Sequence, residues 1–115
     1  MNDSKTTLQD LKVSVEKFVA EREWTPFHDP KNLAMCIGIE AAELMEIFQW
    51  VTPEEAWEIA NDEKQFTHLQ EELADVLIYL MSLVNQMGID ISDAVRDKMA
   101  KNAKRFPVPE QKATK

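Results

Sequence analysis

The chain has 115 residues, the size of one domain, and 44% of them are hydrophobic, which is enough for a core. The formal net charge is −8, and the Lys and Arg residues gather only towards the C-terminal end, so a role in nucleic-acid binding is not expected. Cys36 is the only cysteine, which excludes a disulfide framework and a cysteine-based zinc site.

The N-terminus is polar and lacks an apolar signal segment, and no apolar run approaches the roughly 20 residues that span a bilayer. We therefore expect a cytoplasmic protein without a membrane partner. A helical chain this short often completes its core by oligomerising, so a homodimer is the default expectation. An acidic protein that handles an anionic substrate also needs a cation between them, which is a first indication of a metal.

Apolar residues recur at intervals of three and four, which predicts an all-α fold. Pro30 suits the first turn of a helix, Thr52 followed by Pro53 indicates an N-cap, and Gly88 is a typical helix stop. A polar loop and a polar joint are expected over residues 23–30 and 61–65. The predicted helices cover residues 6–22, 30–51, 52–60, 66–87 and 91–104. Residues 1–109 would then form a single helical domain, and residues 110–115 a disordered tail.

Two helices carry acidic residues on faces that otherwise look buried. Each residue turns an α-helix by about 100°, so Leu33, Leu44 and Ile47 lie within about 40° of Glu40. Glu43 lies about 60° to one side, at the edge of this apolar stripe.

The fourth predicted helix repeats the arrangement. Leu69, Val76 and Tyr79 lie within about 60° of Glu72, and Asp75 lies about 60° to one side. Each helix thus places one acid within an apolar stripe and a second acid three residues later. The neighbouring Glu46 and Glu71 fall on the solvent side.

Burying an ionised carboxylate without a partner costs several kcal/mol, and two matched placements suggest one shared partner. Lys31 and Lys64 lie only near the helix starts, so no nearby cationic side chain supplies it. A divalent cation between the helices would do so, and carboxylate oxygens favour Mg²⁺ or Mn²⁺ over zinc. The expected metal ligands are Glu40, Glu43, Glu72 and Asp75.

A di-iron site is a second way to use carboxylates in a helical bundle, but it needs Glu-x-x-His on two helices. Here Glu43 and Asp75 occupy the place of the histidine, and His68 precedes Glu72 by four residues, which is the wrong order. A non-catalytic helical module that binds a metal or a partner stays open as the alternative to an enzyme.

The acidic pairs and their surroundings resemble the MazG-like all-helical nucleoside triphosphate pyrophosphohydrolases, and in particular the dCTP pyrophosphatase branch. The resemblance covers roughly residues 11–107. It depends on Glu21-Arg22-Glu23-Trp24, Phe27-His28, Pro30-Lys31-Asn32-Leu33, Glu40-Ala41-Ala42-Glu43-Leu44, Phe48-Gln49-Trp50, Gln70 to Leu80, Lys98-Met99, Asn102 and Arg105-Phe106-Pro107.

The resemblance implies Mg²⁺-dependent hydrolysis of a nucleoside triphosphate to a monophosphate and pyrophosphate. It implies a MazG-like domain with a four-helix core and an extra short helix, assembled as a homodimer or as a homotetramer built from two dimers. Glu43 and Glu72 would act in catalysis as well as in metal binding. The implied substrate contacts are Trp24, His28, Asn32, Trp50, Tyr79, Lys98, Asn102 and Arg105, some of them from a neighbouring subunit.

One departure concerns the base. The resemblance leads us to expect a histidine in the first helix, where this chain has Val15, and valine cannot donate a hydrogen bond to a cytosine edge. The preferred base therefore stays open at this point. The sequence also leaves open which carboxylate activates the water. Related all-helical enzymes act on dUTP or phosphoribosyl-ATP, but the Trp residues and the shared motifs favour the dCTP branch.

Overall fold

A computed structural model describes residues 1–109, and the tail predicted over residues 110–115 lies outside the described residues. No strand occurs within residues 1–109, so the all-α class is confirmed. The five α-helices are α1 (Leu8–Glu21), α2 (Pro30–Phe48), α3 (Pro53–Glu58), α4 (Glu63–Met87) and α5 (Ile91–Arg105). Two 3₁₀ turns, Thr25–Phe27 and Ile59–Asn61, follow α1 and α3.

Polar caps fix where these helices begin. The Thr52 side chain accepts a hydrogen bond from the Glu55 backbone N–H, and the Glu55 side chain accepts one from the Thr52 N–H, as the sequence predicted for this start. Asp62 caps the N–H of Gln65, so α4 begins at Glu63, and the polar joint predicted up to residue 65 was wrong at this end.

One helix end agrees with the sequence prediction, and another differs from it. Gly88 ends α4 in the left-handed conformation with φ 62°, which confirms the predicted stop. The second helix ends at Phe48 rather than at the predicted Val51. Thr52 must be extended, with ψ 163°, to cap α3, so the chain has to leave the helix before it reaches this residue.

Three long helices pack together, with α4 in the centre and α1 and α2 against it. Both neighbours run antiparallel to α4. Lys12 of α1 lies at the C-terminal end of α4, where its carbonyl accepts from Asn85, while Glu40 and Glu43 of α2 meet Glu72 near the middle of α4. The buried apolar residues are Val19, Leu33, Ile59, Met81 and Val84.

The last helix stands apart from this core. Helix α5 has no buried residue, makes only sparse contacts with the other helices, and turns away from α4 at 102°. The radius of gyration is 17.6 Å, against about 13 Å for a compact domain of this length. Within a single chain, therefore, α1, α2 and α4 form the core and α5 does not complete a fourth side.

No single helix among the described residues is long and apolar enough to cross a membrane. Helices α4 and α5 meet the length and composition requirements only when they are taken together as a bent pair.

Candidate metal centre

Three carboxylates meet where α2 crosses the middle of α4. Glu40 and Glu43 lie one turn apart on α2, and the antiparallel packing brings Glu72 of α4 to both. Each of the three offers a carboxylate oxygen, and these oxygens all lie within 4.8 Å of one another. Glu40 and Glu72 are half-buried, whereas Glu43 is exposed, so the group opens to solvent on one side.

The protein compensates the charges in this group only in part. Oε2 of Glu40 and Oε2 of Glu72 are buried and have no hydrogen-bond partner among the described residues. Burial, contact with Glu43 and the nearby negative charges raise the pKa of Glu40 above its ordinary value of 4.5. Burial and contact with Glu43 raise the pKa of Glu72 in the same way. Unpartnered carboxylate oxygens in this arrangement fit a hard divalent cation, which prefers oxygen ligands.

The fourth predicted ligand, Asp75, lies one turn beyond Glu72 on α4 and is half-buried. It is not one of the three residues whose oxygens all lie within 4.8 Å. Its negative charge nevertheless helps to raise the pKa of Glu40 and of Glu72, so it belongs to the same electrostatic site.

A row of aromatic rings leads away from the carboxylates. The ring of Tyr79 lies 6.3 Å from that of His28, which lies 6.2 Å from that of Trp24. Phe18 meets Trp24 edge-on at 5.7 Å. Burial, followed by Cys36 and the charges of the neighbouring acids, raises the pKa of Tyr79, which therefore keeps its proton. Three of the predicted substrate contacts, Trp24, His28 and Tyr79, thus form one surface beside the acids.

Comparison with known proteins shows which proteins this chain resembles. The family model described as "MazG-like family" matches residues 35–115, which include all four acids. The chain belongs to the MazG-like family. Its all-helical fold and the spacing of its acidic pairs agree with the resemblance found in the sequence.

Individual relatives extend the likeness to the N-terminal helix. The chain is 42% identical over 105 residues to dCTP pyrophosphatase 1 of Bos taurus, covering 91% of this chain and 62% of that protein. It is 43% identical over 102 residues to dCTP pyrophosphatase 1 of Mus musculus, covering 89% and 60%. The chain thus spans about three fifths of the length of these curated relatives. A solved pyrophosphatase from Archaeoglobus fulgidus has a TM-score of 0.79 and 40% identity, covering 88% of this chain and 93% of its own.

Asn32 takes a local role in this MazG-like chain. Its side-chain amide donates to Asp29 Oδ2 at 2.9 Å and to the Phe27 carbonyl at 3.4 Å. Its backbone N–H donates to Asp29 Oδ1 at 2.8 Å, which caps α2. These bonds hold the loop that carries His28. A direct contact between Asn32 and a substrate stays a prediction.

Four other predicted contacts are not brought to the carboxylates within one chain. Trp50 lies just beyond the end of α2 and is 88% exposed. Lys98, Asn102 and Arg105 lie on α5, which packs on none of the helices that carry the acids. Spacing along a chain cannot show the direction in which a terminal helix leaves the core. Contact of these four residues with a substrate stays a prediction.

His68 is a neighbour of the site that the sequence reasoning did not assign to it. Its Nδ1 lies 3.8 Å from Oε1 of Glu72, one helical turn away. A positive charge on His68 opposes the other influences on Glu72 and lowers its pKa. The spacing of four residues on one helix was the available signal, because such pairs lie on one face.

Proposed function

We propose that this chain hydrolyses deoxynucleoside triphosphates to the monophosphate and pyrophosphate, with dCTP as the preferred substrate and Mg²⁺ as the cation. The observation that carries the proposal is the group of Glu40, Glu43 and Glu72, with two buried oxygens that have no partner among the described residues. The similarity to dCTP pyrophosphatase 1 and to the pyrophosphatase from Archaeoglobus fulgidus supports the same reaction class.

The residues that would hold the cation are Glu40, Glu43, Glu72 and Asp75. When bound there, Mg²⁺ supplies charge neutralisation for the phosphate oxygens and lowers the pKa of a bound water. Mn²⁺ prefers similar oxygen ligands and would serve as a substitute. Holding the triphosphate through a cation also explains how a chain with a net charge of −8 can accept so anionic a ligand.

The reaction requires a water molecule to attack the α-phosphorus while the bond from that phosphorus to the bridging oxygen breaks. Glu43 is the exposed member of the group and contacts both Glu40 and Glu72, so it is the carboxylate best placed to orient the water and take its proton. Glu72, on α4, would hold the cation from the side that faces the two acids of α2. Pyrophosphate leaves with high negative charge and needs cationic partners.

Those partners would come from a second copy of the chain, in a homodimer or a homotetramer. Lys98 and Arg105 lie on the projecting helix α5 and are exposed in the single chain. Large apolar side chains also stay exposed on α2 and α4, among them Met45 at 71% and Leu73 at 49%. The proposed assembly is one that buries them and also brings α5 and Trp50 of one copy to another copy's acids.

A panel of deoxynucleoside triphosphates with Mg²⁺ tests the proposal. The expected products are the monophosphate and pyrophosphate in equal amounts. Glu72→Gln is expected to abolish turnover, while Glu54→Gln, in the exposed first turn of α3, keeps it. Release of orthophosphate alone would indicate a different phosphatase chemistry. If no nucleotide is hydrolysed and Mg²⁺ alone stabilises the fold, the chain is a metal-binding module.

A further inference from the structure

His68 of α4 stands beside the candidate metal centre without being one of its ligands. Its Nδ1 lies 3.8 Å from Oε1 of Glu72, and the two residues share one face of the helix because they are four positions apart. The side chain of His68 is 56% exposed, whereas that of Glu72 is 13% exposed. An exposed imidazole therefore reaches the edge of a carboxylate that is otherwise enclosed by the protein.

The two oxygens of Glu72 have different surroundings. Oε1 faces His68, while Oε2 is buried and has no hydrogen-bond partner among the described residues. The last torsion of a glutamate side chain is broad and roughly two-fold, so rotation about it exchanges the two oxygens. A donor fixed beside Oε1 limits this rotation and keeps Oε2 free for a cation.

The other neighbours of Glu72 in the site cannot provide that donor. Glu43 and Asp75 lie close enough to influence Glu72, but an ionised carboxylate only accepts hydrogen bonds. The imidazole of His68 carries a donor in each of its protonation states. In its neutral form with the proton on Nδ1, it donates towards Oε1 without adding a positive charge that would repel a cation.

The space around His68 leaves the imidazole free to adjust. His68 lines an open cavity of about 330 Å³ between the helices, together with Gln65 of α4 and Glu46, Ile47 and Gln49 at the end of α2. The distance of 3.8 Å is longer than a hydrogen bond, and catalytic hydrogen bonds are often long before the ligands bind and shorten in the complex. A small movement of this exposed side chain closes the gap.

We propose that His68 is a positioning residue for the cation, and that its Nδ1–H holds Oε1 of Glu72 so that the other oxygen is directed at the metal. The inference rests on the proposed function, since it concerns the same cation. Groups that hydrogen-bond to metal ligands commonly change the metal affinity about 10–100-fold when they are removed. His68 acts through Glu72 and not on the substrate.

Binding of Mn²⁺ in the absence of nucleotide, followed by electron paramagnetic resonance, tests the proposal directly. His68→Ala is expected to weaken Mn²⁺ binding about tenfold or more. His68→Asn places an amide nitrogen near the position of Nδ1 and is expected to restore most of the affinity. Thr67→Ala, which shortens the exposed neighbouring side chain, is the control and should bind Mn²⁺ normally. Equal Mn²⁺ affinity in His68→Ala and the wild type would overturn the proposal.

The Mg²⁺ dependence of turnover gives a second measurement. His68→Ala should need about tenfold more Mg²⁺ for half-maximal activity, while kcat at saturating Mg²⁺ and KM for dCTP stay near the wild-type values. A lower kcat at saturating Mg²⁺, together with unchanged Mn²⁺ affinity, would place His68 in contact with the substrate and overturn its positioning role.

The two measurements separate this inference from the proposed function. If the wild type hydrolyses no nucleotide but His68→Ala still weakens Mn²⁺ binding, the role of His68 stands while the proposed reaction fails. If dCTP is hydrolysed and His68→Ala binds Mn²⁺ normally, only the role of His68 fails. A wild type that binds no Mn²⁺ overturns both.

Thermal unfolding with a chelator present guards against a merely structural explanation. Exposed charge pairs contribute little to stability, so the Tm of metal-free His68→Ala should stay near that of the wild type. A clear fall in this Tm, with no recovery of Mn²⁺ affinity in His68→Asn, would assign His68 a structural role and overturn the proposal.

Discussion

Glu40 of α2 and Glu72 of α4 bring carboxylate oxygens within 4.8 Å of one another across the helix interface, and each has one buried oxygen without a partner among the described residues. Their helices are held together by apolar packing, so the backbone keeps both side chains at the same crossing. The fold therefore carries an electrostatic cost in the metal-free protein, which the proposed divalent cation would remove.

The first prediction concerns pH. The folded-state pKa values of Glu40 and Glu72 lie above the ordinary value of 4.5, so the native protein holds more protons than the unfolded chain between pH 4.5 and those raised values. The free energy of unfolding of the metal-free protein is therefore expected to fall as pH rises through this window. Thermal unfolding with a chelator present, recorded across the acidic and neutral range, measures this trend.

Excess Mg²⁺ provides the comparison for that experiment. Metal binds the ionised carboxylates, so the gain in Tm on adding Mg²⁺ should grow as pH rises. Glu72→Gln should flatten both trends, because it removes one of the coupled groups. A Mg²⁺ effect that does not depend on pH would contradict the assignment of these acids as ligands.

The second prediction is that one substitution, Glu72→Gln, raises the stability of the metal-free protein and abolishes its activity. The Glu72 side chain is 13% exposed, and one of its oxygens is unsatisfied, so Glu72→Gln removes a buried charge. We expect the Tm of the metal-free protein to rise by a few degrees, together with loss of turnover. Glu54→Gln, in the exposed first turn of α3, is the control, with little change in either. A lower Tm in Glu72→Gln would show that the carboxylate stabilises the empty fold.

The sequence was sufficient for much of this site because the rotation of a helix is regular. Placing Glu40 and Glu72 within apolar stripes needed only the angle of about 100° per residue, and the structure brings these two together. The same reasoning treated Asp75 as equivalent to Glu43. The structure separates them, because the angle between packed helices decides which flanking acid faces the partner helix.

Features that depend on the path of the chain in space could not be predicted from the sequence. The turn at Gly88 directs α5 away from the core and leaves its apolar residues Val95 and Met99 exposed, which the spacing of residues along the chain cannot show. The sequence also could not show that Ser82 is buried with a hydroxyl that has no partner among the described residues, because this depends on how α1 packs against α4.

The third prediction compares two tryptophans. Trp24 is 43% exposed and lies in the aromatic row with His28, whereas Trp57 on α3 is 81% exposed and outside it. Stacking of a base on an aromatic ring contributes about 1–3 kcal/mol, so Trp24→Ala should weaken binding of a non-hydrolysable dCTP analogue at least tenfold. Trp57→Ala should bind it normally. Calorimetric titration of both variants measures their affinities for the analogue. Equal affinities would show that Trp24 does not contact the nucleotide.

The fourth prediction concerns assembly. An apolar groove between α2 and α4 is lined in part by Met45, Phe48 and Leu73, and large exposed apolar patches typically mark interfaces. Light scattering after size-exclusion chromatography should give a mass of at least two chains. Met45→Glu should shift it to one chain and lower the Tm, while Ser14→Glu on α1 should change neither. A wild-type protein of one chain mass would contradict the assembly proposed for the site.

The fifth prediction uses the two glycines of the chain as a matched pair. Gly88 ends α4 at φ 62°, a conformation that other residues adopt only with strain, whereas Gly38 lies inside α2 in ordinary helical conformation. A Cβ at either position meets no atom within 4 Å, so crowding does not influence the comparison. Gly88→Ala should therefore lower the free energy of unfolding by about 1 kcal/mol through backbone strain alone.

Gly38→Ala should raise the free energy of unfolding by about 0.5–1 kcal/mol, because alanine restricts the unfolded chain and favours a helix. Urea unfolding of both variants measures the two changes, which should have opposite signs. If Gly38→Ala destabilises the protein, its Cβ must meet something outside the single chain. A loss that grows with protein concentration would place that contact between copies, on the exposed side of the helix that carries Glu40 and Glu43.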